Sequence, residues 1–229
     1  MHPLNNIIWQ ALTTRQAEFA QSVGEARRFV PEVGPLAGFR DPNDADYESL
    51  AGLAKIGGTI AVFLDLPYQP QSGWSVVAGA PLLQMVHSGA EIADRAANAA
   101  KLPIVDLGAA DSTEMIELAA LTKPGPFGPR THELGSFFGI RVGGKLAAMA
   151  GERMKVPGYA EVSAVCTHPD HTGHGYAAAL MTRVMQGIVK RGELPFLHVR
   201  GDNLRAIELY NRLGFLDRKS GYFVVLRRE

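Results

Sequence analysis

The chain has 229 residues, 46% of them apolar and 20% charged, and its 23 acidic residues balance 23 lysines and arginines. Such a composition belongs to a folded protein with a substantial core, and it excludes a disordered or collagen-like chain. A net charge of zero and a pI near 7.1 supply no global field toward nucleic acid or an anionic membrane, and no Lys/Arg run supplies a local one.

The single cysteine, Cys166, excludes an intramolecular disulfide. The opening MHPLNNIIWQ has no basic stretch leading into an apolar core, and no apolar run nears the ~20 residues of a membrane helix. We therefore expect a soluble cytoplasmic protein without nucleic-acid or membrane partners.

In chain order, residues 4 to 29 predict a helix, with Leu4, Ile7, Ile8, Leu12, Phe19 and Val23 spaced along one apolar face. Residues 30–42 are rich in Pro and Gly and predict a loop. A short helix follows from Asp44, with Asp as its N-cap and glycine as its stop. TIAVFLDL and WSVVAGAPLLQMV predict strands, and the polar, alanine-rich run from Ser88 to Lys101 closes this first unit.

PIVDLG restarts the pattern as a strand, and Asp111-Ser112-Thr113-Glu114 opens a helix that ends in Pro and Gly. Gly143-Gly144 between two apolar segments predicts a β-hairpin. AEVSAVCT is a further strand, GYAAALMTRVMQGIVKRG a helix, LPFLHVR a strand, DNLRAIELYNRLG a capped helix and GYFVVLRR the last strand. The expected fold is α/β (α+β), with helices flanking a central mixed sheet. We divide it into an N-terminal α/β extension, residues 1–100, and a domain over 103–229. The extension is either a degenerate half-copy extending the same sheet or a cap over an acceptor pocket or dimer interface. Trp9 and Trp74 are expected to anchor its core.

The stretch from Thr172 to Ala177, Thr-Gly-His-Gly-Tyr-Ala, lies between a strand and a helix. Gly173 and Gly175 allow a tight turn, and the helix start behind them offers unpaired N–H groups with partial positive charge, a fit for phosphate or pyrophosphate. A dinucleotide fingerprint is weak here, because five residues separate the glycines from the strand and Glu193 stands before, not after, the next one. No Gly-Lys-Ser/Thr exists to make a Walker loop.

The spacing resembles the GNAT superfamily of acyl-CoA-dependent N-acyltransferases, and within it the FR47-like branch. Its signature, Gln/Arg-x-x-Gly-x-Gly/Ala after a strand, is met around Gly173 and Gly175, with Thr172 in place of Gln or Arg. Its second motif, Asn-x-x-Ala-x-x-Leu-Tyr-x-x-x-Gly-Phe, is complete from Asn203 to Phe215. The resemblance covers residues 103–229 and implies acetyl-CoA as co-substrate. Its pantetheine arm would lie along the free main chain of Val165, Cys166 and Thr167, and its pyrophosphate on Thr172, Gly173, His174, Gly175, Tyr176 and Ala177. It places Asn203 and Ala206 beside the arm and Tyr210 near the thioester sulfur.

Acyl transfer to an amine needs a neutral nucleophile, a polarised carbonyl and a proton for the thiolate. Tyr210 is the expected acid, against a plain helix-surface role beside Leu209 and Leu213. Glu161 is the expected base, its pKa raised by burial; an equally weighted role is a carboxylate paired with an arginine such as Arg153. Glu152 is a second base candidate, more simply a solvated strand end. Arg130, His132 and Glu133 are candidates for selecting the acceptor, a small-molecule or peptide amine. His168, His171 and His174, with His198, invite a metal, but turn residues splay apart and we expect none. Cys166 is expected to be a buried hydrophobe rather than a nucleophile. The resemblance implies an enzyme acting by direct transfer, with a non-catalytic acyl-CoA sensor or scaffold as the other class; a homodimer is compatible with either.

Overall fold

A computed structural model describes residues 2–92 and 103–229. One eight-stranded sheet organises the chain. The strands are β4 (Thr59–Leu64), β5 (Trp74–His87), β6 (Ile104–Leu107), β7 (Phe137–Val142), β8 (Lys145–Val156), β9 (Tyr159–Thr167), β10 (Leu194–Arg200) and β11 (Phe215–Arg228). Their order is β4-β11-β5-β10-β9-β8-β7-β6. Every neighbouring pair is antiparallel except β9 and β10. A small second sheet joins β1 (Ala20–Val23), β2 (Ala26–Phe29) and β3 (Ala37–Phe39).

Strands from both sides of residue 103 share the large sheet. β5 runs between β10 and β11, paired to β11 from Phe215↔His87 to Arg228↔Trp74 and to β10 from Phe196↔Val86 to Arg200↔Leu82. Gly143 and Gly144, at φ 57° and 83°, make the two-residue turn from β7 to β8 that the sequence predicts, because successive positive φ values match the twist of a hairpin.

Helices cover both faces. On one, α4 (Tyr176–Lys190) and α5 (Leu204–Arg212) pack on Met85, Ile140, Val162, Leu197 and Phe215. On the other, α1 (Ile7–Thr13) seats Leu4, Ile7, Ile8 and Leu12 against Met154, Val156 and Phe196. There too, α3 (Ser112–Thr122) lays Met115, Leu118 and Ala119 on Met149, Ala164 and Cys166. α2 (Asp44–Ala51) closes a third cluster around Tyr47, Leu50, Ile60 and Trp74. Trp74 is buried, while Trp9 is half-buried and donates its Nε1–H to the Glu25 carbonyl at 2.9 Å.

The first predicted helix is corrected. Only Ile7–Thr13 is α-helical; a 3-10 turn at Ala17–Phe19 and the hairpin β1–β2 replace the rest. The hydroxyls of Thr13 and Thr14 bond back to the Trp9 and Gln10 carbonyls at 2.7 and 2.5 Å, a local alternative that ends helices. Gly24 at φ 50° then turns the chain into a hairpin. Leu4 to Leu12 do form the apolar face, but Val23 is 40% exposed. Residues 30–42 contain β3 within the predicted loop, and the cap of α2 is Asn43 rather than Asp44, its Oδ1 accepting from the Asp46 N–H at 2.9 Å. Of the predicted Ser88–Lys101 closure, residues 93–101 lie outside the described chain.

Candidate active site

β9 and β10 begin as partners and then part. They pair from Leu194↔Tyr159 to Phe196↔Glu161, and there the ladder ends. β10 continues against β5 as far as Arg200↔Leu82, and β9 continues against β8 as far as Thr167↔Ala148. The cause lies in β9: Ala164 has φ 53°, and the register to β8 slips between Met149↔Cys166 and Gly151↔Ser163. One extra residue in β9 is a bulge, which bends the strand and re-aims its edge. Residues 162–167 thus face a split with no ladder across it, and Val165, Cys166 and Thr167 lie along it.

The glycine loop follows directly. A 3-10 turn at Pro169–His171 leads into Gly173 and Gly175, at φ 85° and 76°, where a side chain is disfavoured. Beside Gly173 there is open space. Gly175 caps the 15-residue α4, and the first intrahelical bond is Ala179 N–H to the Gly175 carbonyl at 3.1 Å. The N–H groups of Tyr176, Ala177 and Ala178 therefore stand free at the positive end of the helix dipole. Loop and helix start thus present free N–H groups beside the split. Thr172 turns its hydroxyl to the Pro169 carbonyl at 3.1 Å, so it stabilises the turn. His174 stacks on Tyr176, ring centroids 5.4 Å apart.

Below the split lies a buried ionic network. Glu161 is fully buried, its Oε2 accepting from Arg153 Nε at 2.8 Å and from the Met154 N–H at 3.2 Å. Its Oε1 accepts from Arg153 at 2.7 Å and faces His198 Nδ1 at 2.7 Å. Burial alone would push this carboxyl up, as the sequence suggested, but Arg153 and His198 outweigh it and hold the pKa down at about 2. The expected upward shift is corrected: Glu161 is a firmly ionised, fully hydrogen-bonded carboxylate.

Glu152 is likewise no solvated strand end. It is 1% exposed and held by Arg191 at 2.8 Å and Lys155 at 3.0 Å. Arg191 reaches on to Glu193 at 3.0 Å, and Arg15 closes on the same carboxylate.

Tyr210 stands on α5, half-buried against the core with Leu209 and Leu213, its ring 6.2 Å from Phe215. Burial pushes its phenol up to about 12, and it is protonated at neutral pH. Asn203 caps α5, its Oδ1 accepting from the Ala206 N–H at 3.2 Å. Cys166 is buried and its thiol is pushed up to about 11 by burial, the state of an inert small hydrophobe. Arg130 and Glu133 pair with each other on the surface at 2.7 and 2.8 Å, and His132 buries an Nδ1 without a partner. His168 spends its Nδ1 on the Asp170 N–H at 3.2 Å. Among the described residues no three of His, Cys, Asp and Glu converge as a metal site.

The family described as FR47-like protein matches residues 137–224, the region holding the split, the loop and α5. A solved structure of a GNAT-family protein from Novosphingobium aromaticivorans DSM 12444, assigned as an acetyltransferase, is 38% identical, covers 100% of both chains and has a TM-score of 0.89. The chain belongs to the GNAT family. It is therefore an acyltransferase, and the mixed sheet with its parted parallel strands is the GNAT fold. A GCN5-related N-acetyltransferase from Kribbella flavida shares that fold at 16% identity and TM-score 0.60, covering 98% of this chain and 96% of its own. A tandem GNAT protein from the clavulanic acid biosynthesis pathway does so at 15% identity and TM-score 0.55, covering 89% of this chain and 78% of its own. No curated protein matches the sequence. In this GNAT chain, the resemblance implied that the strand carrying Ala164 to Thr167 splays from its parallel neighbour, but sequence reasoning overlooked the positive φ of Ala164 and the part of His198 in the network. A lone histidine in an otherwise apolar strand was the available signal for the second; nothing in the sequence marks the first.

Proposed function

We propose that the protein transfers the acetyl group of acetyl-CoA directly to a primary amine, carried by a small molecule or a peptide, in a ternary complex. The observation that carries this is the split between β9 and β10 opening beside the glycine loop at the start of α4. Acetyl-CoA would supply an activated thioester. The free N–H groups of Tyr176, Ala177 and Ala178, with Gly173 and Gly175, would hold its pyrophosphate. Main-chain N–H groups of Val165 to Thr167 that face the split would polarise the carbonyl. Tyr210, a phenol that is protonated at neutral pH with or without burial, would give its proton to the departing thiolate. Every lone-pair direction of Glu161 is already taken, so the amine proton passes to water rather than straight onto that carboxylate. Arg130 and Glu133 are taken up by each other and Glu152 by Arg191 and Lys155.

Calorimetry with acetyl-CoA and with NAD tests the reading first; binding of the former alone is expected. Tyr210→Phe should then keep acetyl-CoA affinity and lose about 10²- to 10⁴-fold in thiol release with an amine acceptor. Unchanged turnover would remove Tyr210 as the acid. Binding without turnover by the wild-type protein toward any amine would instead favour a sensor.

A further inference from the structure

His198 is a histidine in the middle of β10, its side chain 4% exposed. Its partners determine its state. Gln84 uses its Oε1 to accept from Arg218 at 2.6 Å, which orients the amide, and its Nε2 donates to the Leu4 carbonyl at 3.0 Å. The same Nε2 stands 3.0 Å from His198 Nε2, so that ring nitrogen must be the acceptor and Nδ1 must carry the hydrogen. Nδ1–H therefore donates to Glu161 Oε1 at 2.7 Å. Phe63 and Phe196 wall the ring, centroids 4.8 and 5.8 Å away.

The location gives this bond its meaning. Glu161 and Phe196 are the last ladder partners of β9 and β10, and His198 is the next residue of β10 on the same face. A parallel ladder would continue here with main-chain bonds; the bulge at Ala164 prevents it, and a side-chain bond spans the two strands instead. We propose that His198 is a positioning residue: its bond to Glu161 ties β9 to β10 where their ladder ends and sets the mouth of the split that receives the pantetheine arm. The proposal rests on the acetyl-CoA reading above. Arg153, bidentate on Glu161, anchors the β9 side, while Gln84, held by Arg218, anchors the β10 side.

The experiment compares two substitutions by calorimetry with acetyl-CoA. Asn places an amide N–H where Nδ1–H stands, whereas Gln places its amide near Nε2. His198→Asn should bind acetyl-CoA within about three-fold of wild type. His198→Gln should bind it about ten-fold or more weakly, the loss of one hydrogen bond to a charged group. Equal affinities for wild type and His198→Gln, or equal losses in both variants, would overturn the proposal, since bulk alone would then explain them. A measurement on the wild-type chain guards against variants that fail to fold. In long-range ¹H–¹⁵N NMR, His198 should show the Nδ1–H tautomer, and that proton should shift when acetyl-CoA is added; an Nε2–H tautomer or an unmoved resonance would overturn the tie. A wild-type protein that binds no acetyl-CoA would overturn the transferase reading itself, a different outcome from normal binding that ignores position 198.

Discussion

Glu161 carries a negative charge with no solvent exposure, and this is affordable only because Arg153 and His198 surround it. Two consequences can be measured. Glu161→Ala leaves a buried guanidinium unpaired and should cost about 3–5 kcal/mol in urea unfolding; a loss under about 1 kcal/mol would mean the network is worth no more than a surface pair. The second is pH. Glu161 has a folded pKa of about 2 against an ordinary 4.5, so its stabilisation is present above 4.5 and is lost as pH falls toward 2. His198 is lowered from 6.5, burial outweighing the pull of Glu161, so the neutral form is favoured by folding and stability declines as pH drops below 6.5. Thermal melts should therefore fall in two stages, the first below 6.5, where burial of His87 and His2 acts in the same direction, and smaller in His198→Asn, the second below 4.5. A flat Tm down to 4.5 in the wild-type protein would show that His198 does not resist protonation.

At the scale of an element, β9 decides whether a split exists. Ala164 sits at φ 53°, a conformation that costs an L-residue roughly 1–2 kcal/mol, and it is buried under α3. A β-branched side chain tolerates that region far less. Ala164→Val should lose about 2 kcal/mol or more of stability and weaken acetyl-CoA binding, whereas Ala164→Gly should keep both within about 1 kcal/mol. Urea titration with calorimetry checks this, and a stable Val variant with full affinity would show that the bulge does not open the split. α4 illustrates the opposite kind of control. Its start is set by Gly173 and Gly175, so the free N–H groups there are a local feature that needs no distant partner.

For the whole molecule, the decisive fact is that β5 lies inside the sheet. Residues 103–229 hold both family motifs, yet β10 and β11 do not touch as neighbours; β5 fills the place between them. Expressed alone, residues 103–229 would expose the facing edges of both strands and the apolar residues Leu197, Val199 and Phe215 around them. We expect that fragment to be unfolded or aggregated, with no dispersed NMR spectrum, whereas the full chain unfolds in one transition. A fragment that folds and binds acetyl-CoA would show that the N-terminal residues are an accessory.

Much was decided along the chain itself. The glycine loop, its helix, the hairpin at Gly143-Gly144 and the capped α5 follow from turn residues and short-range periodicity, which need only a few neighbours to act. The same local rules misjudged residues 4 to 29, where Thr13, Thr14 and Gly24 broke a periodicity that looked continuous. What tertiary structure alone decided is long-range. The placing of β5 between β10 and β11 depends on residues far apart in sequence, and the low pKa of Glu161 depends on the distant His198 as well as on Arg153 in the neighbouring strand, the pairing that the sequence offered. Burial pushes a carboxyl one way and an arginine brought close by folding pushes it the other, and only the assembled sheet determines which is stronger.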